Sequence, residues 1–236
     1  MAKNPWVVIP TYNEKDNIER MVRALYKVGP QNLHVLIVDD SSPDGTGKII
    51  ENLKNELPTL HLETRPKKSG LGRAYVQGFE YAISQSANEV VQMDADFSHD
   101  PADVPTLLSH LDNADLVIGS RYKNGISVVN WPLRRLLISL AGNWYARLIT
   151  GIPVHDTTGG FKAWKTETLK SIDFKTVDAN GYGFQIVMNY RTWKASKTIK
   201  EVPIVFTERR DGQSKMNNDI IKEALLLVWR LRFLGK

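Results

Sequence analysis

The sequence predicts an α/β protein with a mostly parallel sheet and helices on both faces. Three features predict it. Short β-rich apolar runs recur through the first half, stretches of helical apolar spacing follow most of them, and the joins are short turns of Gly, Pro, Asn and Asp. The first run, Trp6 to Ile9, ends at Pro10 and Asn13, and the helix after it carries Ile18, Met21, Val22 and Leu25 on one face. Leu33 to Val38 reads as a buried strand, followed by the turn Ser41-Ser42-Pro43-Asp44-Gly45 and a helix with Ile49, Ile50 and Leu53 inward. Leu60 to Thr64 is the third strand, and Gly70-Leu71-Gly72 opens a helix over Arg73 to Ser84. Glu89 to Met93 is a strand running into Asp94-Ala95-Asp96; a helix near Ala102 to Leu111 and the strand Asp115 to Gly119 complete the series.

The pattern changes after Tyr122. Trp131 to Ile149 reads as a long helix of mixed apolar and basic character, His155 to Trp164 as irregular, and Gln185 to Trp193 as a helix. The strand Thr198 to Phe206, a polar loop Thr207 to Lys215 and an amphipathic closing helix follow. With no repeat or linker in 236 residues, one domain over 1–236 is expected, with two halves over about 1–122 and about 123–236.

The chain is 42% hydrophobic and 24% charged, which excludes a disordered chain, and its net charge of +5 suits anionic partners. It has no cysteine, so disulfides, thiolate metal sites and cysteine nucleophiles are excluded. The N-terminus lacks the long apolar core of a signal peptide, and the longest hydrophobic run, Ala224 to Trp229, falls far short of a span. A cytoplasmic protein is expected, with any membrane contact peripheral.

In such folds ligands bind beyond the C-terminal ends of the strands, where the polar clusters of this sequence fall. Residues i and i+2 of extended chain share a side, so Asp94 and Asp96 can face one site and offer hard oxygens to Mg2+ or Mn2+. They suit equally a strand-end turn capping the next helix. Asp39-Asp40 and Pro10-Thr11-Tyr12-Asn13-Glu14 end neighbouring strands and suit a base and a ribose, although Asn13 also fits a helix N-cap. The glycine pair at Gly70 and Gly72 suits phosphate, yet lacks the full G-x-G-x-x-G of a dinucleotide site.

An ordered series of motifs runs along nearly the whole chain: PTYNE from Pro10, VDDSSPDGT from Val38, GLGRAY from Gly70, DADFSHDP from Asp94 and GSRY from Gly119. It continues with NWPLRRLLISLAGN from Asn130, DTTGGFKAW from Asp156, GYGFQI from Gly181 and RRDGQSK from Arg209. This series resembles the GT-A glycosyltransferases, and within them the dolichol-phosphate (polyprenol-phosphate) mannose synthases. The resemblance implies transfer of mannose from GDP-mannose to a polyprenyl or dolichyl monophosphate. It places Pro10, Tyr12, Glu14, Val38 and Asp40 at the nucleotide, and Asp94, Ala95 and Asp96 at the diphosphate and metal, with Asp96 favoured as direct ligand. Arg121, Arg135 and Ser139 fall on acceptor-phosphate positions, and Arg209 and Lys215 on a loop over the donor phosphates. Asp96, Arg121, Arg135 and Arg209 are the residues expected to carry catalysis. Some relatives have a glutamine two residues past the second aspartate as a further metal ligand; here Ser98 stands there, and water is expected in its place.

Trp131 to Ile149 and Asn217 to Lys236 mix apolar and basic residues in the manner of interfacial helices at an anionic membrane. Core packing with arginine heads in water is the plainer alternative, and the second segment also suits a membrane-anchored partner subunit. Three rivals remain: the same reaction with another donor such as UDP-glucose, a basic binding module, and a non-catalytic sugar-nucleotide binder. The acidic strand ends speak against nucleic acid, and the paired aspartates with Arg209 against a dead enzyme.

Overall fold

A computed structural model describes residues 3–177, 179, 181–208 and 218–234. Four βα repeats and a fifth strand lead: β1 (Pro5–Thr11), α1 (Ile18–Val28), β2 (His34–Asp39), α2 (Thr46–Leu53), β3 (Leu60–Thr64), α3 (Leu71–Ser84), β4 (Glu89–Gln92), α4 (Val104–His110) and β5 (Leu116–Ser120). Then come β6 (Val128–Val129), α5 (Leu133–Thr150), β7 (Lys162–Lys165), α6 (Thr166–Ser171), α7 (Gly181–Lys194), β8 (Ile199–Pro203), β9 (Phe206–Thr207) and α8 (Asn218–Leu234). The main sheet has seven strands in the order β3-β2-β1-β4-β7-β5-β8, while β6 and β9 form a small parallel pair. All neighbours in the main sheet are parallel except β7, which runs antiparallel between β4 and β5.

Strand alternation sorts the apolar residues onto two layers. Trp6, Val8, Leu36 and Val38 face α3 and α7, whereas Val7, Ile9, Val35 and Ile37 face α1, α2 and α4. Helix α3 sits close to the sheet because Gly78 has no side chain; a Cβ there would collide with Val8 and approach Val38 to 3.1 Å. At the far end of α5, Gly151 takes the left-handed conformation (φ 76°) that closes a helix, its N–H donating to the Arg147 carbonyl.

Several expected boundaries move. The stretch expected to be irregular contains β7, whose flanking lysines Lys162 and Lys165 conceal a strand in which Lys162, Ala163 and Trp164 are all buried. The expected strand Thr198 to Phe206 is two strands, because the chain leaves the main sheet at Pro203 and rejoins β6 at Phe206. Helix α1 begins at Ile18, and Asn13 sits outside it with φ 60°, so Asn13 does not cap that helix.

One polar cluster lies outside the strand-end region. His34 on β2 and His61 on β3 stack on Trp6 with ring centroids 4.6 and 4.5 Å away, and His34 Nδ1 meets His61 Nε2 at 3.0 Å. Desolvation lowers the pKa of His34; desolvation, with smaller contributions from His34 and Lys54, lowers that of His61 to about 4. Unfolded, both return to about 6.5, so the unfolded chain binds more protons between pH 6.5 and about 4. Stability is therefore expected to be full above pH 6.5 and to fall as the pH drops towards 4. Urea midpoints across that range check it. His61→Phe keeps the stack and should flatten the fall; an equally steep fall in that variant would discard the His pair as its source.

Candidate active site

Strands β1, β2, β4 and β5 all end on one side of the sheet, and the loops leaving them enclose a cleft of about 390 Å³. Sheet order reverses between β1 and β4, the position at which such folds bind ligands.

The left wall is two turns tied together. Asp39 accepts hydrogen bonds from Thr11 Oγ1 (2.9 Å), Ser42 N–H (2.9 Å) and Ser42 Oγ (2.5 Å), and Ser42 Oγ accepts from the Asn13 N–H at 3.0 Å. Thr46 Oγ1 accepts the Glu14 N–H at 3.0 Å. Asp39 is thus occupied in building the wall, which leaves Asp40, Pro10, Tyr12 and Glu14 as the residues lining it. Asp40 lies 3.0 Å from Arg65; burial raises its pKa and outweighs the arginine's opposing charge. Lys68 Nζ sits 3.9 Å over the Tyr12 ring. Val38, expected at the nucleotide, is fully buried with its side chain towards Gly78 and does not line the cleft.

The floor is the turn after β4. Asp94 and Asp96 are half-buried, Ala95 between them is buried, and all three line the cleft. Asp94 Oδ1 accepts from Tyr75 Oη at 3.1 Å, and its backbone N–H donates to His99 Nδ1 at 3.1 Å. Asp96 Oδ1 accepts the Ser98 N–H at 3.0 Å. Burial lowers the pKa of His99 despite the two aspartates, so its ring stays neutral and stacks on Phe161 at 4.9 Å. The helix-capping role open to the aspartates belongs instead to Asp100, which accepts the Ala102 N–H at 2.9 Å. Among the described residues no three His, Cys, Asp or Glu side chains gather into a metal cage. Two carboxylates in an open cleft fit a hard cation whose remaining ligands come from a diphosphate and water.

The right wall is basic and braced. Arg121 follows β5 and is 5% exposed; its Nε and Nη2 donate to both oxygens of Asp156 at 2.7 and 2.6 Å, and Nη2 also reaches Thr158 Oγ1 at 2.8 Å. Burial acts to lower the Arg121 pKa and raise that of Asp156, but the pairing prevails and both shift towards their charged forms. Arg135 on α5 pairs with Glu208 and lies 4.2 Å over the Trp131 ring. Ser139 meets Tyr122 Oη at 2.7 Å and lines a second cavity. Arg209 and Lys215 lie outside the described residues.

That second cavity, about 460 Å³, runs between α5 and α8 and is walled by Trp131, Ile138, Trp144, Ile186, Leu225 and Val228. Arg121, Arg135, Thr158 and Tyr182 line both spaces. The sequence reading missed Asp156, Thr158, Tyr182 and Gln185 as site residues, although each stands inside a motif it singled out.

A model of glycosyl transferase family 2 matches residues 6–173. A polyprenol monophosphomannose synthase of Mycolicibacterium smegmatis is 44% identical over 96% of this chain and 86% of that protein. An undecaprenyl-phosphate mannosyltransferase of Micrococcus luteus is 44% identical over 94% of this chain and 91% of its own. Among solved structures, glucosyl-3-phosphoglycerate synthase from Mycobacterium tuberculosis, in complex with Mn2+, UDP and glucosyl-3-phosphoglycerate, shares the fold with a TM-score of 0.66. It is 20% identical and covers 98% of this chain and 80% of that one.

Proposed function

The chain belongs to glycosyl transferase family 2, and from that premise we propose that it transfers mannose from GDP-mannose to a polyprenyl monophosphate of the dolichyl type at a membrane surface. One observation carries the reading beyond the family: the polar cleft and the apolar cavity share Arg121 and Arg135. A ligand with a phosphate head and a hydrocarbon tail has both its parts provided for at that junction. The sugar nucleotide takes the opposite wall, with its base and ribose at Tyr12, Glu14 and Asp40 and its diphosphate at the floor.

The chemistry needs little beyond placement. A phosphate monoester has a second pKa of about 6, so the acceptor oxygen arrives deprotonated and no general base is required. That oxygen attacks C1 of the sugar in line, the bond from C1 to the diphosphate oxygen breaks, and an α-linked donor yields a β-linked lipid product. The obstacle is two anions meeting. Arg121 and Arg135, each already paired with a carboxylate, meet the acceptor with their remaining N–H groups, and their planar forks suit phosphate oxygens. Asp156 and Trp131 hold those guanidiniums in place before substrate arrives. Asp94 and Asp96 would hold a divalent cation, Mg2+ or Mn2+, which when bound supplies charge neutralisation to the departing diphosphate.

Membrane contact follows from what α5 and α8 leave outside. Leu133, Leu137, Trp144 and Leu148 on α5 and Leu226, Trp229 and Phe233 on α8 are exposed, with Arg134 and Arg147 beside them. Among the described residues no helix is long and apolar enough to cross a membrane. The face suits an anionic bilayer at the cytoplasmic side, where the tail cavity opens onto the lipid that supplies it.

Anionic vesicles carrying polyprenyl phosphate provide the test. Label from GDP-mannose is expected in the lipid fraction. Label only from UDP-glucose would keep the reaction and change the sugar. No lipid-linked label from either donor, with folded protein, would overturn the lipid acceptor and leave a membrane-bound partner subunit as the occupant of the apolar face.

A further inference from the structure

We propose that Gln185 reads the sugar: its side-chain amide donates a hydrogen bond to one hydroxyl of the transferred hexose and so helps to select the donor. The inference rests on the glycosyl-transfer reading above and names a residue that reading left without a role.

Gln185 is 3% exposed, lies in the first turns of α7, and lines the cleft. Which end of its amide faces the cleft follows from a chain of groups with fixed polarity. The Trp164 indole N–H can only donate, and it donates to Gln92 Oε1 at 3.1 Å. Gln92 Nε2 therefore donates, both to the Gly160 carbonyl at 2.9 Å and to Gln185 at 3.0 Å. The Gln185 atom receiving that bond must be Oε1. Lys162 Nζ meets the same oxygen at 2.7 Å and the Gln185 backbone carbonyl at 3.2 Å. With its oxygen held twice, the amide nitrogen is turned outward, and it has no hydrogen-bond partner among the described residues.

What it faces is a bare spot in the wall. A Cβ built on Gly160 would lie 3.6 Å from the His99 ring edge at Cε1, 3.7 Å from Gln185 Nε2 and 3.9 Å from Asp94 Oδ2. An amide donor and a carboxylate acceptor flanking one small space match a hydroxyl-bearing ring, because neighbouring hydroxyls both accept and donate. Lys162 and Gln92 are positioning residues. Lys162 is fully buried, and burial drives its pKa well below that of an ordinary lysine, yet the amide's orientation holds in either charge state because Trp164 and Gln92 set it.

The experiment compares wild type with Gln185→Met, which removes the donor while leaving the Gly160 carbonyl and the backbone acceptor to Gln92 and Lys162. Gln185→Ala is the second variant, leaving room for a water to meet Lys162 should the methionine disturb folding. Transfer is measured from GDP-mannose and from analogues each lacking one hydroxyl, and GDP affinity is measured alongside. Each variant should lose about 10- to 100-fold in kcat/KM with GDP-mannose at unchanged GDP affinity. With one analogue, wild type should already show that loss and the variant should add nothing to it. The same loss with every analogue, or a parallel loss of GDP affinity, overturns the assignment. Absence of transfer by wild type from any donor would instead strike the functional reading; binding of GDP-mannose over GDP, compared by calorimetry, then reads Gln185 alone.

Discussion

Asp156→Ala should cost about 3–5 kcal/mol of folding stability, because it strands a buried guanidinium. Arg121 donates to both carboxylate oxygens through its side chain, and its backbone N–H adds a third bond at 3.0 Å. Asp156 itself is fully buried, so water cannot replace it without opening the wall. Domains of this kind hold only about 5–15 kcal/mol in all, so the loss should be plain in a urea or thermal midpoint. Removing both charges, with Arg121→Met and Asp156→Leu together, should recover much of the stability but none of the transfer. A loss below about 1 kcal/mol in Asp156→Ala would show that the pair is not the brace described here. In the wild type the sign of the pH effect is set by the carboxylate. Its pKa lies below the ordinary value, so its contribution is whole above about pH 4 and disappears only as the pH falls below that.

Asp96→Ala should lower transfer by about 100- to 1000-fold while leaving the melting temperature nearly unchanged. Asp96 is half-buried on the floor of the cleft, so little apolar packing is lost with it. A chelator should reduce wild-type transfer by a comparable factor and do little further to the variant, because both act on the same ion. Transfer that survives in the variant within about threefold, or that ignores the chelator, would remove the carboxylates from the reaction.

The first half of the molecule was legible because its signals are local. Strand runs, helix spacing and turn residues repeat in order, and the paired aspartates Asp94 and Asp96 mark the turn that leaves the end of β4 with no knowledge of the rest of the fold. Val38 shows where a position carried over by resemblance parts from its side chain. The same alternation that buries Val8 sends Val38 towards α3 and away from the cleft, whereas Asp40, just past the end of β2, is free of that alternation and reaches it.

Sequence by itself determined the α/β repeat and the paired aspartates, which rest on residue type and short spacing, and it pointed to the family and the basic wall through the ordered motifs that carry the resemblance. Tertiary structure alone decided how the second half completes the site. Strand β7 inserts antiparallel between β4 and β5, and its lysine-flanked sequence has no strand signature of its own. Once there, it brings Gly160, Lys162 and Trp164 against Gln92 and Gln185, residues 68 to 93 positions apart from Gln92 along the chain. Pairing of Arg121 with Asp156 likewise spans 35 positions. Such contacts depend on which strand lies beside which, and the energy that selects the neighbour comes from the packed core as a whole rather than from any short stretch of sequence.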